Sequence, residues 1–192
     1  TDLGRFYTDI YMECFPDDNE RESFDHLLSY LKQSESLSDY KYHIVLAKDE
    51  SENIVGGCIF NYYKDSNSGV IEFLAVKSDL QSGGIGSEIY KHVISVMEAD
   101  AYKNRKSFLS CVFCEIDSPE YSKSGIKKYL YFWDKNGYKH LDFQYVQPPL
   151  SATQSPVYGL WLTVMPLRVQ GKTIPGETVL SVLHDYLKYG ME

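Results

Sequence analysis

Between Tyr42 and Val76 three apolar runs, "YHIVLAK", "IVGGCIFNYY" and "VIEFLAV", follow one another with only short polar breaks. The breaks, "KDESEN" and "KDSNSG", carry turn residues and are too short for a crossover. Strands joined in this way pair antiparallel, so the spacing predicts a three-stranded meander. The next connection is of another kind. Behind "VIEFLAV" come "KSDLQSGGIG" and then a stretch in which Ile85, Ile89, Val93 and Val96 fall on one helical face to about Ala99. The following apolar run, "SFLSCVFCEI", is reached across that helix, which predicts a fourth strand parallel to the third. Few folds change from antiparallel to parallel pairing at the centre of one sheet, and the class they share is mixed α/β.

The remaining elements are read around that centre. Leu3 to Cys14 is predicted as a helix with Phe6, Ile10 and Cys14 four apart, ended at Pro16. A second helix is predicted from about Arg21 to Gln33, carrying Phe24, Leu27, Leu28 and Leu31. "KSGIKKYLYFWDKN" reads as a late helix with Gly137 at its C-cap. "YKHLDFQYV" and "VYGLWLTVMP" read as two more strands, joined by "QPPLSATQSP", a loop too long for a tight hairpin. A helix from Gly176 to Tyr189 closes the chain, so residues 175–190 form a C-terminal helical extension. With no repeat and no polar linker, residues 1–192 read as a single domain.

Composition narrows the function classes. A net charge of -8 argues against nucleic-acid binding, which wants a basic face, and mildly favours cationic or neutral partners. No run approaches the roughly 20 apolar residues of a membrane span, and no signal peptide is visible, so the reading is a cytoplasmic protein with no membrane partner. Cys111 and Cys114 make a lone C-x-x-C. Three apart on a strand, they point to opposite faces, so they read with Cys14 and Cys58 as buried thiols. No metal is expected, since zinc would need more ligands nearby. No G-x-S-x-G occurs, so a serine-hydrolase elbow has no support.

Gly83, Gly84 and Gly86 stand between a strand and a helix, where free backbone N–H groups and the helix dipole make an anion site. The P-loop pattern fails because Gly86-Ser87-Glu88 lacks its Lys. The dinucleotide pattern fails because Ile89 stands where its third Gly belongs. A third pattern, Gln/Arg-x-x-Gly-x-Gly/Ala, is met by Gln81-Ser82-Gly83-Gly84-Ile85-Gly86. Two helices and the meander precede it. The motif helix, a strand, a helix ending in "FWDKNGYKHLDF" and two strands follow. In that setting the chain resembles the GNAT superfamily of N-acetyltransferases over about residues 3 to 165.

The resemblance implies a GNAT fold of the α/β (α+β) class. Its sheet would be mixed and mostly antiparallel, of about six to seven strands, with helices on both sides and a splayed parallel pair at the cofactor slot. The family's first strand precedes its first helix, and this sequence begins at that helix. The resemblance also implies acetyl-CoA as cosubstrate and acetyl transfer to a primary amine, of a small molecule or of a peptide or protein, by direct attack in a ternary complex. A non-catalytic acyl-CoA sensor is the alternative. The pyrophosphate would sit on the amides of Gln81, Ser82, Gly83, Gly84, Ile85, Gly86 and Ser87. The pantetheine arm would run along Leu74, Ala75 and Val76. Family members occur as monomers or homodimers.

The family's acid for the leaving thiolate is a Tyr four residues before the glycine that ends the late helix. Here that position is Trp133, which has no acidic proton and otherwise reads as a packing residue. Tyr131 and Tyr129 are close in sequence, and Tyr131 is the candidate acid, although residues two apart on a helix differ by roughly 200°. A water could serve instead. Glu72 is the candidate base: alternation places Glu72, Leu74 and Val76 on one strand face, which also fits a solvated strand charge. Glu115 is a second carboxylate on the adjoining strand. His92 falls on the apolar side of the motif helix and reads as core. In this family the acceptor pocket is built from two loops, here Phe15 to Glu22 and Gln147 to Pro156. Asp17, Asp18, Glu20 and Glu22 crowd the first. They read either as a mouth that favours a cationic amine or as charges at a helix start.

Overall fold

The three strands of the meander form as predicted: β1 (Tyr40–Lys48), β2 (Ile54–Tyr63) and β3 (Ser68–Val76) pair antiparallel in chain order. These and all further details come from a computed structural model, which describes residues 1–121, 126–167 and 173–190. β4 (Cys111–Asp117) lies parallel to β3, and β8 (Leu160–Pro166) runs antiparallel to β4. With β5 (Lys139–His140) on the far edge, the six-stranded sheet has the order β1-β2-β3-β4-β8-β5. β6 (Val146–Gln147) and β7 (Val157–Tyr158) make a separate two-stranded ribbon.

Helices cover both faces. The first helical stretch runs as α1 (Asp2–Phe6), a π turn (Tyr7–Tyr11) and α2 (Met12–Cys14). It shares one face with α3 (Phe24–Ser36) and α6 (Gly176–Gly190). There Phe6, Tyr11, Leu27, Tyr63, Phe113 and Tyr186 are buried together. α4 (Ile85–Lys103) and α5 (Ile126–Lys135) cover the other face, over Phe60, Val93, Met97, Val112, Trp133 and Tyr138. The three innermost cysteines divide between these two layers. Cys111 belongs to the first, while Cys58 and Cys114 belong to the second, and all remain free thiols. Among the described residues no helix is long and apolar enough to cross a membrane.

Several boundaries differ from the sequence expectation, each for a local reason. α3 starts at Phe24 rather than Arg21, because the Ser23 hydroxyl caps it, accepting from the His26 N–H at 3.1 Å. The expected long strand over 138–146 is only two residues. The Leu141 N–H makes a last bond to the Leu162 carbonyl, and the Phe143 N–H then turns back to the Leu141 carbonyl at 2.9 Å. The last strand splits at Gly159, whose φ of +96° breaks the extended run between β7 and β8. His92, expected in the core, is exposed on α4, whose buried side is carried by Ile89, Tyr90, Val93 and Met97. The first residues expected in α5, 123–125, lie outside the described residues.

One irregularity decides where the site's side chains point. Across β2 and β3, Ile59 faces Phe73 and Phe60 faces Ile71, so Glu72 is an extra residue, a β-bulge. The bulge shifts the alternation. Phe73 and Ala75 join the α1/α3/α6 layer, while Leu74 and Val76 turn to the α4 layer. Glu72 therefore does not share a face with Leu74 and Val76. Its hydrogen bond to Asn61 places it on the opposite side, with Phe73.

The α4 layer hangs on few anchors, and Met97 is one with no exposed surface. Met97→Ala should cost about 2–5 kcal/mol, as for other large-to-small changes in packed cores, read by urea unfolding at constant m-value.

Candidate active site

The site is built where β3 and β4 part. The two strands share four parallel pairs, from Ser68↔Cys111 to Ile71↔Cys114, and then diverge. Glu72 and Glu115 are the first residues beyond the last pair, one on each strand. From Glu72 onward the β4-facing edge of β3 has no strand partner. Its other edge stays paired to β2 through Leu74↔Cys58, Ala75↔Gly57 and Val76↔Gly56. The Lys77 N–H bonds the Val55 carbonyl, so in the alternating ladder Ala75 also turns its backbone groups to β2, and those of Leu74 face the open wedge, as an extended ligand would require. The Val76 carbonyl is already used: it accepts from Gln81 Nε2 at 3.1 Å and from the Cys14 thiol at 3.7 Å. Gln81 therefore fastens the start of the glycine loop to the end of β3.

The loop closes the mouth of the wedge. After a single 3₁₀ turn, Ser82 (φ +70°) and Gly84 (φ +92°) take left-handed conformations, and Gly84 caps α4 without any side-chain hydrogen bond. The first N–H groups of a helix have no intrahelical partner, so this end offers donors and the positive end of the dipole. The glycines explain themselves differently. Gly84 needs its positive φ. At Gly86 a Cβ would meet nothing closer than Val76 Cγ2 at 3.6 Å, an ordinary contact. The protein's own packing does not require bare backbone at Gly86, so a ligand on that surface is the remaining reason for it. Ile85 and Ser87 are half-buried beside it, and Gly83 and Ser82 are exposed. A groove of about 560 Å³ flanks the loop on its other side, between β1 and α4, lined among others by Val45, Ala47, Gly84 and His92.

At the apex of the wedge the two carboxylates sit on the α1/α3/α6 face. Glu72 Oε1 accepts from Asn61 Nδ2 at 2.5 Å. Burial, then the charges of Glu22 and Glu115, hold its carboxyl well above the usual range against the lowering effect of Asn61. Glu115 accepts from two phenols, Tyr145 through Oε1 and Tyr186 through Oε2, the latter at 3.3 Å. Burial raises it to about 7, with the two phenols pulling it down and Glu20 pushing it up. Around them the Asn61 Oδ1 and the hydroxyls of Tyr42 and Tyr63 are buried without a hydrogen-bond partner among the described residues. Buried polar atoms are nearly always partnered in a finished structure, so these mark a place for a polar ligand or water. The sequence reading missed Tyr145 and Tyr186. They lie 30 and 71 residues from Glu115, and no local pattern connects them.

α5 brings its aromatic residues to the other side of the wedge. Trp133 is 3% exposed and is boxed by Tyr90, Phe132 and Tyr138, a packing role. Tyr131 is 68% exposed and lies on the outer side of the helix. Tyr129 is less exposed, at 37%, and sets its ring edge-on to Trp133 at 6.1 Å. Its hydroxyl, near Cys114 and Asp117, is held well above its ordinary value, first by burial.

The two loops expected around the acceptor are clasped together. Gln154 Nε2 donates to the Arg21 carbonyl at 2.9 Å and to that of Asp18, and the Ser155 N–H donates to Asn19 Oδ1 at 2.8 Å. Tyr121 donates to Glu20 Oε1 at 2.9 Å. The four acids of the first loop lie ahead of α3 and outside its first turn. Asp17 holds the Asn19 N–H at 2.8 Å, and Asp18 pairs with Arg21. Glu22 is buried against His26 at 2.8 Å, while Tyr7 and Tyr11 from the π turn bond its backbone.

Comparison with known proteins fits this arrangement. The family model of the GNAT acetyltransferases matches residues 5–118, more than half of the chain, which therefore belongs to the GNAT acetyltransferase family. Among solved structures, a protein described as a GNAT-family acetyltransferase from Bacteroides thetaiotaomicron is 17% identical, with a TM-score of 0.66 over 98% of this chain and 93% of that one. A ribosomal-protein-alanine N-acetyltransferase from Brucella melitensis is 14% identical, TM-score 0.56, over 86% and 94%. PaiA N-acetyltransferase from Thermoplasma acidophilum, solved with coenzyme A, is 15% identical, TM-score 0.51, over 81% and 77%. At such identities the likeness is one of fold. Among curated proteins none matches the chain.

The glycine geometry gives a separable expectation. Gly84→Ala should lose about 1–2 kcal/mol, the cost of a side chain in left-handed backbone. Gly86→Ala, with room for its methyl, should melt close to the wild type in the same calorimetric scan.

Proposed function

We propose that this chain transfers the acetyl group of acetyl-CoA to a primary amine by direct attack, with both reactants held at once. One observation carries the reading: the parted β3/β4 pair has the glycine loop that opens α4 at its mouth and two half-buried carboxylates at its apex. The residues present suit acetyl-CoA. The loop amides from Ser82 to Ser87 would hold its pyrophosphate, and the free edge of β3, at the backbone groups of Leu74 and the Val76 N–H, would pair with the amides of its arm. Bound there, it supplies an activated acyl carbon and a tolerable leaving thiolate.

The protein's own groups do the rest. Holding the two reactants together removes most of the entropic barrier. A carboxylate at the apex takes the proton of the entering ammonium, so that nitrogen can bond to the acyl carbon as the C–S bond breaks. A proton then returns to the thiolate, and Tyr129 is the phenol placed for it, since Trp133 cannot donate an acidic proton and Tyr131 faces solvent. The acceptor enters as a cation. The supporting features are the acidic side chains of Glu20 and Glu115 on its side and the -8 net charge.

Calorimetry should show acetyl-CoA binding to the wild type and none to Gly86→Glu, whose carboxylate would meet the pyrophosphate. An amine panel should release free thiol only with protein present. Tyr129→Phe should lower kcat by about 10²-fold, the usual worth of a positioned acid, and by more than Tyr131→Phe does. Binding without any thiol release would instead favour an acyl-CoA sensor.

A further inference from the structure

The wedge apex holds two carboxyl groups, and a single proton acceptor is enough for the reaction. They are not equivalent. Glu72 sits on the bulge among Phe73, Ile59 and Tyr63, with Asn61 as its hydrogen-bonding side chain. Glu115 is cradled by two phenols that donate to both of its oxygens, from the 141–145 segment and from α6. Among the described residues neither has a Lys or Arg ion-pair partner. Like charges so close, in a low-dielectric layer that also receives Glu22 and Glu20, cannot all be ionised. Whichever group has more donors keeps the charge, and the other keeps its proton.

We propose that Glu115 is the carboxylate that takes the acceptor's proton, and that Glu72 works as a neutral acid whose hydroxyl positions the amine by a hydrogen bond. This division rests on the acetyl-transfer reading above. The groups facing the pair are Glu20 from the α2–α3 loop, Glu22 just ahead of α3, Tyr11 from the π turn, Tyr42 and Tyr63 from β1 and β2, Tyr145, and Tyr186 from α6. The unpartnered Asn61 Oδ1 and Tyr42 and Tyr63 hydroxyls, all nine-tenths buried or more, give the acceptor nitrogen further contacts at this place. The protons balance: one ammonium proton moves to Glu115 Oε1 or Oε2, which later releases it to solvent; the nitrogen lone pair bonds to the acyl carbon and the C–S bond breaks as the α5-side phenol gives its proton to the sulfur; the second N–H proton of the adduct passes through solvent to restore that phenol, leaving the amide and the free thiol. The direction of the two pKa shifts agrees. Glu115, raised to about 7, is poised to accept and release a proton near neutrality, and Glu72, with one donor against two, is held well above its ordinary carboxyl value by burial and by the charges of Glu22 and Glu115.

The sign for pH follows. The site is competent when Glu115 is ionised, so kcat/KM for the least basic amine that the wild type acetylates should rise with pH and level off above an inflection near 7. Glu115→Gln should lose that inflection and about 10²-fold in kcat. Glu72→Gln, which mimics the protonated acid, should keep the inflection. Tyr186→Phe removes a donor that favours the charged form, so its inflection should move to higher pH. A carboxyl-carbon NMR titration of glutamate-labelled protein reads the same assignment without turnover. One resonance should titrate near 7, vanish in Glu115→Gln and move up in Tyr186→Phe. Another, missing in Glu72→Gln, should stay protonated through that range. The inference is overturned if Glu115 titrates in the ordinary glutamate range near 4.3, or if Glu115→Gln keeps the inflection that Glu72→Gln loses. A wild type that acetylates no amine overturns the acetyl-transfer reading itself, and this assignment with it.

Discussion

Everything at the site depends on one interruption of backbone pairing. β3 and β4 hold together for four residues and then let go, and at the same level an extra residue enters β3 opposite β2. Had the strands stayed paired, the N–H and C=O groups of Leu74 would be spent inside the sheet, as those of Ala75 are on β2. Had the bulge been absent, Glu72 and Phe73 would lie on opposite faces. The two irregularities together open a slot along one edge and turn a carboxylate to the face away from α4. Such a defect persists only because both layers over-determine the strands around it, with Tyr11 and Phe73 packed edge to face at 4.9 Å on one side and Phe60 and Met97 buried on the other.

The tyrosines supply the second theme. On the α1/α3/α6 face their rings fill the layer while their hydroxyls hydrogen-bond a carboxylate or the backbone beside one. Tyr145 and Tyr186 serve Glu115, and Tyr7 and Tyr11 clamp the backbone of Glu22. An aromatic ring with a polar tip suits a wall that must exclude water and still hold charge. The π turn belongs to the same scheme, since it sets Tyr7 and Tyr11 with ring centroids 5.3 Å apart and both hydroxyls on the backbone of one residue, Glu22.

Much of this was legible in the sequence, for reasons that can be named. Turn length fixed the antiparallel meander, and a helical crossover fixed the parallel pair. The glycines at 83, 84 and 86 marked the turn from β3 into α4. Those signals are local or periodic. The bulge was not legible, because "VIEFLAV" alternates as smoothly as any regular strand, and the shift appears only in its register with β2. Nor was the shortness of β5, which a turn at Leu141–Phe143 imposes. His92 was misjudged by about a third of a helical turn, within the scatter of reading a face from four apolar residues. The partners of Glu115 had no signal at all, being contacts made by tertiary packing of remote segments.

The bond between Glu115 and Tyr186 spans 71 residues and reaches into the last helix of the chain. A ribosome lays down the wedge, the loop and both carboxylates well before it reaches α6. In that interval Glu115 lacks one of its two donors and the sheet lacks part of the cover over Tyr63 and Tyr40, on which Tyr189 later stacks. The nascent chain would thus hold the open wedge and its glycine loop before Glu115 had both of its donors. The pairing of that carboxylate is timed by the emergence of α6, a helix that contributes no residue to the glycine loop.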